Sequence, residues 1–156
     1  MTGTPHVEER TEKWCVYIPV SASLNEWGRV VSLMPEVKGW VRDRGLAATS
    51  GPFFRILGVG GHDEPFDIQV GVAVGQPAEG DGRVLAGSMP EGRYAVLMHV
   101  GHPHEIGRSH AAMAEWASNA GAVWDETARF ETYVTDPEKE PDSSKWETEL
   151  AYRLKA

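Results

Sequence analysis

Cysteine is nearly absent from this chain: Cys15 is the only one among 156 residues. A single thiol cannot form a disulfide within the chain, so the fold does not depend on crosslinks, and a reducing, cytoplasmic location is predicted. Cys15 lies in the apolar segment 14–20. That position is more typical of a strand residue packed in a core than of a catalytic thiol.

Long apolar runs and an excess of positive charge are also absent. No stretch approaches the roughly 20 apolar residues of a membrane-spanning helix. Residues 1–12 are polar, without the apolar segment of a signal peptide, and are expected to form a flexible tail. With 15 Lys and Arg against 23 Asp and Glu, the net charge is −8. Nucleic acids and anionic membranes bind clustered positive charge, so neither is an expected partner, and cationic or neutral ligands are favoured.

The common signatures of phosphate, hydrolase and metal sites are missing as well. The Gly-rich segment 58–61 lacks the Lys-Ser/Thr pair of a phosphate-binding loop and precedes a strand, so a turn is predicted. No G-x-S-x-G nucleophile motif occurs. His99, His102, His104 and His110 are spread over a strand, a turn and a helix rather than spaced as zinc ligands. Neither a metal nor another cofactor is expected.

The elements that the sequence does predict follow the order strand–helix–strand–strand, twice. Alternating apolar residues predict the strands, and apolar residues at helical spacing predict the helices. Ser23 and Glu26 have the spacing of a capping box at the start of the first helix, which Pro35 should interrupt. The predicted strands are 14–20, 53–59, 66–74, 94–100, 129–134 and 146–154, and the predicted helices lie between Ser23 and Gly45 and at about 104–119.

The two halves also match residue by residue. At an offset of 76, three residues of the first half coincide with the same types in the second: Trp40, Gly45 and Phe54 with Trp116, Gly121 and Phe130. At an offset of 80, the acidic and apolar positions of 67–74 coincide with those of 147–154. We interpret this as a duplication, the alternative being a chance match of apolar periodicity. It predicts one domain over 13–156, with pseudo-repeats at about 13–75 and 91–155 and a linker over 76–90.

Two such modules side by side predict an α+β fold. Their strands would form one antiparallel sheet, with both helices on one face and a cleft between them. A cleft between modules, over the centre of the sheet, is the default place for a small ligand.

One carboxylate stands out against this arrangement. Glu131 lies between aromatic residues in the predicted strand 129–134. Because side chains alternate along a strand, Glu131 and Tyr133 share one face. Two interpretations remain open from the residues alone: a surface carboxylate, solvated or paired with Arg129 or Arg55, or the polar centre of a pocket.

Several segments, taken in order, resemble the GyrI-like small-molecule-binding domain, the ligand-binding fold of multidrug-responsive regulators and of a gyrase-inhibitory protein. The matching segments are Met89-Pro-Glu-Gly-Arg-Tyr-Ala95, His99-Val-Gly101, the helix through Trp116 to Gly121, Phe130-Glu-Thr-Tyr133, Asp136-Pro137 and Trp146-Glu-Thr-Glu-Leu150. The resemblance extends over about 13–155 and implies the duplicated fold. The family's Gly-Pro-Tyr turn is Gly-His-Pro-His here.

The resemblance implies a pocket for bulky, aromatic, often cationic molecules. Glu131 would meet the cation and Tyr133 would line the pocket, while the last-strand aromatic is Trp146 or Tyr152. The loop at His102 would form a rim. Trp27 lies early on the first predicted helix, and this position makes it a further candidate for the wall of the pocket. The candidate ligand-binding residues are therefore Glu131, Tyr133, Tyr152, Trp146, Trp27 and His102.

The sequence is also compatible with two other functions. Some members that lack a DNA-binding module resemble hydrolases that open the strained cyclopropane of genotoxic natural products; here Glu131 would activate water, with Tyr152 beside it. A protein-binding role like gyrase inhibition is the third possibility. Since only about twelve residues precede the resembling region, a stand-alone member that is not a transcription factor is expected.

Overall fold

A computed structural model describes residues 4–58 and 63–155. The two halves each contribute four strands of one sheet, and the helices are α1 and α2 in the first half and α3 in the second. The bounds are β1 His6–Arg10, β2 Lys13–Ala22, α1 Trp27–Val31, α2 Leu33–Asp43, β3 Ala48–Leu57, β4 Phe66–Val74, β5 Leu85–Met89, β6 Gly92–Val100, α3 Gly107–Ala120, β7 Trp124–Tyr133 and β8 Glu147–Leu154. No helix in these described ranges is long and apolar enough to span a membrane.

The sheet is antiparallel throughout and has the strand order β1-β6-β8-β7-β3-β4-β2-β5. This order is symmetric about the contact of β7 with β3, where Phe54 lies opposite Glu131. The predicted α+β fold of two strand–helix–strand–strand modules is therefore confirmed. The strand that carries Glu131 lies at the centre of the sheet.

The first helix begins and breaks where its sequence predicts. The Ser23 amide donates to Oε1 of Glu26 at 3.2 Å, which forms the capping box of a 3-10 turn, Leu24–Glu26, that leads directly into α1. The helix is interrupted at Ser32, and Pro35 lies in the first turn of α2, where its missing N–H removes no helical hydrogen bond. The helix of the second half, α3, ends at Gly121, whose φ of +66° favours glycine.

The helices α1, α2 and α3 pack on the same face of the sheet. The alternating residues of β4 (Ile68, Val70, Val72 and Val74) are buried under α1 and α2. Met113 of α3 packs on Leu97 of β6 and on Leu150 and Tyr152 of β8. Because the central strands β7 and β3 lie between these two clusters, a cleft between the helices would have them as its floor.

The opposite face of the sheet is buried too, because the sheet curls. β5 and β6 lie near opposite ends of the strand order, yet only two residues, 90 and 91, connect them. The ends of the sheet must therefore approach each other. The enclosed cluster combines residues of both halves, namely Cys15, Phe53, Tyr94, Val96, Ala128, Phe130 and Ala151.

Two edge strands lie where the sequence predicts none. β1 falls inside the predicted flexible tail 1–12, where it pairs with β6, and β5 falls inside the predicted linker 76–90, where it pairs with β2. Both corrections have one cause. Edge strands expose much of their surface, so their sequences need little apolar alternation. Residues 59–62 of the predicted Gly-rich turn lie outside the described residues.

Candidate functional site

Glu131 lies on the helix face of the sheet, at its centre. Its cross-strand neighbours are Phe54 on β3 and Leu150 on β8, and both belong to the clusters under the helices. Residues directly opposite one another share a face, so Glu131 points into the region between the helices. It is 6% exposed, which makes it a buried carboxylate.

The hydrogen-bond partner of Glu131 is His110 of α3. The Nε2 atom of His110 lies 3.0 Å from Oε2 of Glu131, and its Nδ1 contacts the Tyr152 hydroxyl. Because a carboxylate only accepts, Nε2 carries a hydrogen; in the neutral imidazole Nδ1 then accepts from Tyr152. A carboxylate, an imidazole and a phenol thus form a continuous chain.

The two arginines considered as counter-ions of Glu131 are bound elsewhere. The Arg55 guanidinium lies over the Phe130 ring on the opposite face, and its Nε donates to the Thr127 carbonyl at 2.6 Å. Arg129 donates to the Gly58 carbonyl. Both pairings are therefore wrong, since Arg55 sits opposite Phe130 rather than Glu131 in the β3–β7 register.

Burial and the nearby carboxylate keep both tyrosines of this region neutral. Burial is the main cause that raises the pKa of Tyr133 and of Tyr152 well above its usual range, and the charge of Glu131 raises both further. Arg129 partly offsets this for Tyr152. Each phenol therefore keeps its proton at neutral pH and can act as a hydrogen-bond donor.

A row of aromatic rings leads from Glu131 towards α1. Phe54 packs edge-on against Tyr133 with centroids 5.3 Å apart, and against Trp27 at the same distance. Trp27 also stacks on Phe66 at 6.1 Å. The structure thus joins two predicted residues, Trp27 and Tyr133, through Phe54, which the sequence reasoning had not selected.

Trp146 and His102 form a separate pair. Their rings lie 5.5 Å apart, and the indole Nε1 of Trp146 donates to the Glu140 carbonyl at 2.7 Å. Among the ring contacts and hydrogen bonds of the described residues, none connects either side chain to Glu131. Tyr152, rather than Trp146, is the aromatic residue near the C-terminus that contacts the Glu131–His110 pair, through Nδ1 of His110.

A second buried polar group lies beyond Tyr133. His99 is 2% exposed, with Nδ1 2.7 Å from Ser109 Oγ and Nε2 3.1 Å from the His102 carbonyl. Thr148 is the cross-strand neighbour of both His99 and Tyr133. Its buried Oγ1 has no hydrogen-bond partner within the described chain.

Metal ligands are not clustered in the described residues: no group of three or more His, Cys, Asp or Glu there is arranged to hold a metal ion.

His110 is the residue that sequence reasoning missed. The sequence interpretation weighs a metal-binding role for it and does not consider it as the partner of Glu131. The available signal was its position: with Ile106, Met113 and Trp116 it forms the stripe of the helix predicted to face the sheet. An ionisable residue on a buried stripe needs a partner, and Glu131 is the carboxylate within reach.

A groove of about 520 Å³ lies on the other face of the sheet. Thr132 lines it, and Thr132 points away from Glu131 because successive strand residues alternate. The groove is bounded by Glu8, Glu9, Arg10, Thr11, Lys13, Ser50, Gly51, Ala73, Met89, Thr132, Val134 and Glu149. Arg10 is paired there with Glu8 and Glu149, at 2.7 and 2.9 Å.

The comparisons with known proteins agree with this architecture. Residues 4–155 match the model of the GyrI-like small molecule binding domain, so the chain belongs to this family and is a small-molecule-binding, effector-binding domain. The resemblance stated from the sequence is thereby confirmed. No curated protein matches the chain.

Solved structures show the same fold at low sequence identity. The EcmrR C-terminal domain superposes with a TM-score of 0.86 at 16% identity, covering 97% of each chain. SAV2435 bound to tetraphenylphosphonium gives 0.72 at 13%, covering 99% of this chain and 95% of that one. A hydrolase from Listeria innocua gives 0.64 at 16%, covering 97% and 92%. The chain spans 57% of the longer EcmrR chain in its complex with DNA.

Proposed function

We propose that this domain binds bulky, aromatic, often cationic small molecules in the cleft centred on Glu131. The observation that carries the proposal is a carboxylate only 6% exposed, at the centre of the sheet, held by an imidazole instead of an arginine or lysine. A buried carboxylate without a permanent cation attracts one. The tetraphenylphosphonium bound to SAV2435 is a ligand of this class.

The aromatic residues beside Glu131 suit such a ligand. Tyr133, Phe54 and Trp27 form a continuous row, and Tyr152 lies on the other side of the carboxylate. A cation over an aromatic face gains about 0.5–2 kcal/mol per contact, most when water is excluded. Trp146 and His102, at the end of the cleft, are proposed as its outer rim.

The substitution Glu131→Gln tests the charge-partner role. It keeps the shape of the side chain and removes the charge, so binding of a cationic dye such as a rhodamine should weaken several-fold. A neutral aromatic of similar size should bind about as before. Both affinities are measured by fluorescence titration.

The matched control is Glu126→Gln, which removes the same charge from an exposed position of the same strand. It should leave both affinities unchanged. Equal dye affinity in the wild type and in Glu131→Gln would remove Glu131 as the charge partner.

A second candidate function is favoured by the Glu131–His110–Tyr152 chain. A carboxylate next to an imidazole can take a proton from water, and the neighbouring phenol can donate one. In a substrate with a conjugated cyclopropane, the water oxygen would bond to a ring carbon as one C–C bond breaks. The electron pair passes to the substrate's conjugated carbonyl, and the water proton passes to Glu131.

The hydrolase hypothesis is tested by incubating the protein with a cyclopropane-bearing alkylator and following water addition by mass spectrometry. Turnover should depend on Glu131 and survive in Glu126→Gln. Conversion no faster than in buffer would exclude this substrate class.

A further inference from the structure

His110 occupies the place that a cationic ligand of Glu131 needs. Its Nε2 lies 3.0 Å from Oε2 of Glu131, so an imidazolium there forms the ion pair by itself. The side chain of His110 is 30% exposed and that of Glu131 only 8%. Solvent and ligand therefore reach the imidazole first, and its protonation decides whether the carboxylate carries an uncompensated charge.

The groups that face His110 come from two strands. β7 presents Glu131 and β8 presents Tyr152, the two side chains in contact with the ring. Tyr133 and Arg129, each two residues from Glu131, flank them on the same face of β7. The raised pKa values of both phenols, caused first by burial, keep them neutral at neutral and acidic pH.

The remaining ionisable groups near α3 are bound elsewhere. On β6, His99 contacts Ser109 Oγ and the His102 carbonyl. On α3 itself, Arg108 pairs with Glu105, which precedes the helix, at 3.3 Å. Glu115 is exposed, about one and a half helical turns further along. His102 and His104 contact one another at the proposed rim, so the Glu131–His110 pair is the part of the centre of the cleft whose charge can change between pH 5.5 and 8.

We propose that His110 sets the charge specificity of the cleft. As a neutral imidazole it leaves Glu131 with a net negative charge that a cationic aromatic ligand neutralises. As an imidazolium it neutralises Glu131 itself, and the cleft then takes neutral aromatic ligands in preference to cations. This inference rests on the proposed binding function and adds its regulation by pH.

The direction of the pH dependence follows from competition between a proton and the ligand for one carboxylate. Protonation of His110 opposes cation binding, so cation affinity rises with pH. Histidine side chains change charge between pH 5 and 8, and on the acid side of such a transition each pH unit changes the unprotonated fraction about tenfold. Strict competition then makes cation binding about tenfold weaker at pH 5.5 than at pH 8, whereas a neutral ligand shows little change.

The experiment measures tetraphenylphosphonium binding by calorimetry at half-unit steps from pH 5.5 to 8 on the wild type, His110→Gln and His6→Gln. Glutamine is neutral throughout this range, so His110→Gln should have a flat profile, with its pH 5.5 affinity near the wild-type value at pH 8. His6 is exposed on β1 and contacts Glu8, so His6→Gln should keep the wild-type slope.

The outcomes separate this inference from the function on which it rests. Cation binding that is independent of pH, or a His110→Gln variant that keeps the wild-type slope, would overturn the role of His110 and leave the binding function standing. Absence of cation binding at every pH would overturn both.

A measurement on the wild type needs no variant to fold. The His110 imidazole is titrated by NMR with and without tetraphenylphosphonium. Because linkage is reciprocal, a ligand that loses affinity on protonation must lower the titration midpoint of His110, by about one pH unit for each tenfold by which protonation weakens its binding. An unchanged midpoint in the saturated protein would contradict the proposal.

Discussion

Glu131 and Arg55 show how the environment of a side chain decides its chemistry. At the repeat offset of 76, Arg55 aligns with Glu131. In the sheet, however, Glu131 points to the helices and Arg55 to the enclosed face. The partner of Glu131 comes instead from α3, 21 residues away in sequence. If Glu131 binds a cation as proposed, its imidazole partner would make that binding depend on pH, whereas an arginine keeps its charge at every relevant pH.

Cys15 is the other residue whose chemistry depends on burial. It is 4% exposed in the cluster enclosed by the curled sheet, and burial raises the pKa of its thiol to about 11. At pH 8 roughly one molecule in a thousand is then a thiolate, the reactive form. We expect a disulfide reagent at pH 8 to label the native protein negligibly while labelling the guanidine-unfolded protein completely. Rapid stoichiometric labelling of the native protein would contradict this.

At the scale of elements, β4 depends on a close approach of its neighbours. A Cβ atom at Gly71 would lie 2.6 Å from the Val16 carbonyl oxygen and 2.6 Å from the Phe53 ring. Both neighbouring strands hold β4 by antiparallel pairing, so the backbone oxygen cannot move aside cheaply. The absence of a side chain is therefore a requirement of packing at this position.

We expect Gly71→Ala to lower the free energy of unfolding by about 1–3 kcal/mol, a typical cost of overpacking. The control is Gly28→Ala, because Gly28 lies in α1 and a Cβ there would meet nothing within 4 Å. It should raise stability by about 0.5–1 kcal/mol, since alanine favours the helix. Urea unfolding followed by tryptophan fluorescence measures both. An unchanged midpoint for Gly71→Ala would show that the strands can separate.

At the scale of the whole molecule, the curl of the sheet joins the two modules on both faces. On the helix face they meet along β7 and β3, where Glu131 lies opposite Phe54. On the enclosed face, Phe53 of the first half packs edge-on against Phe130 of the second, with centroids 5.5 Å apart. Neither module buries this surface alone, so the surroundings of Glu131 form only when both modules are present.

Local patterns were sufficient to predict much of this molecule. The order of the elements, the capping box at Ser23 and the break near Pro35 follow from residues a few positions apart, and the structure contains each of them. The duplication follows from matches 76 and 80 residues apart, and the symmetric strand order agrees with it. The shared face of Glu131 and Tyr133 follows from alternation alone.

The rest was decided by tertiary structure. The contact of His110 with Glu131 and Tyr152 depends on how α3 lies across the sheet. The separation of Arg55 from Glu131 depends on the register of β3 with β7. The edge strands β1 and β5 exist because partners with unpaired backbone groups are available to them. Helix packing and strand register are set by many weak contacts between distant parts of the chain, which no short segment of sequence contains.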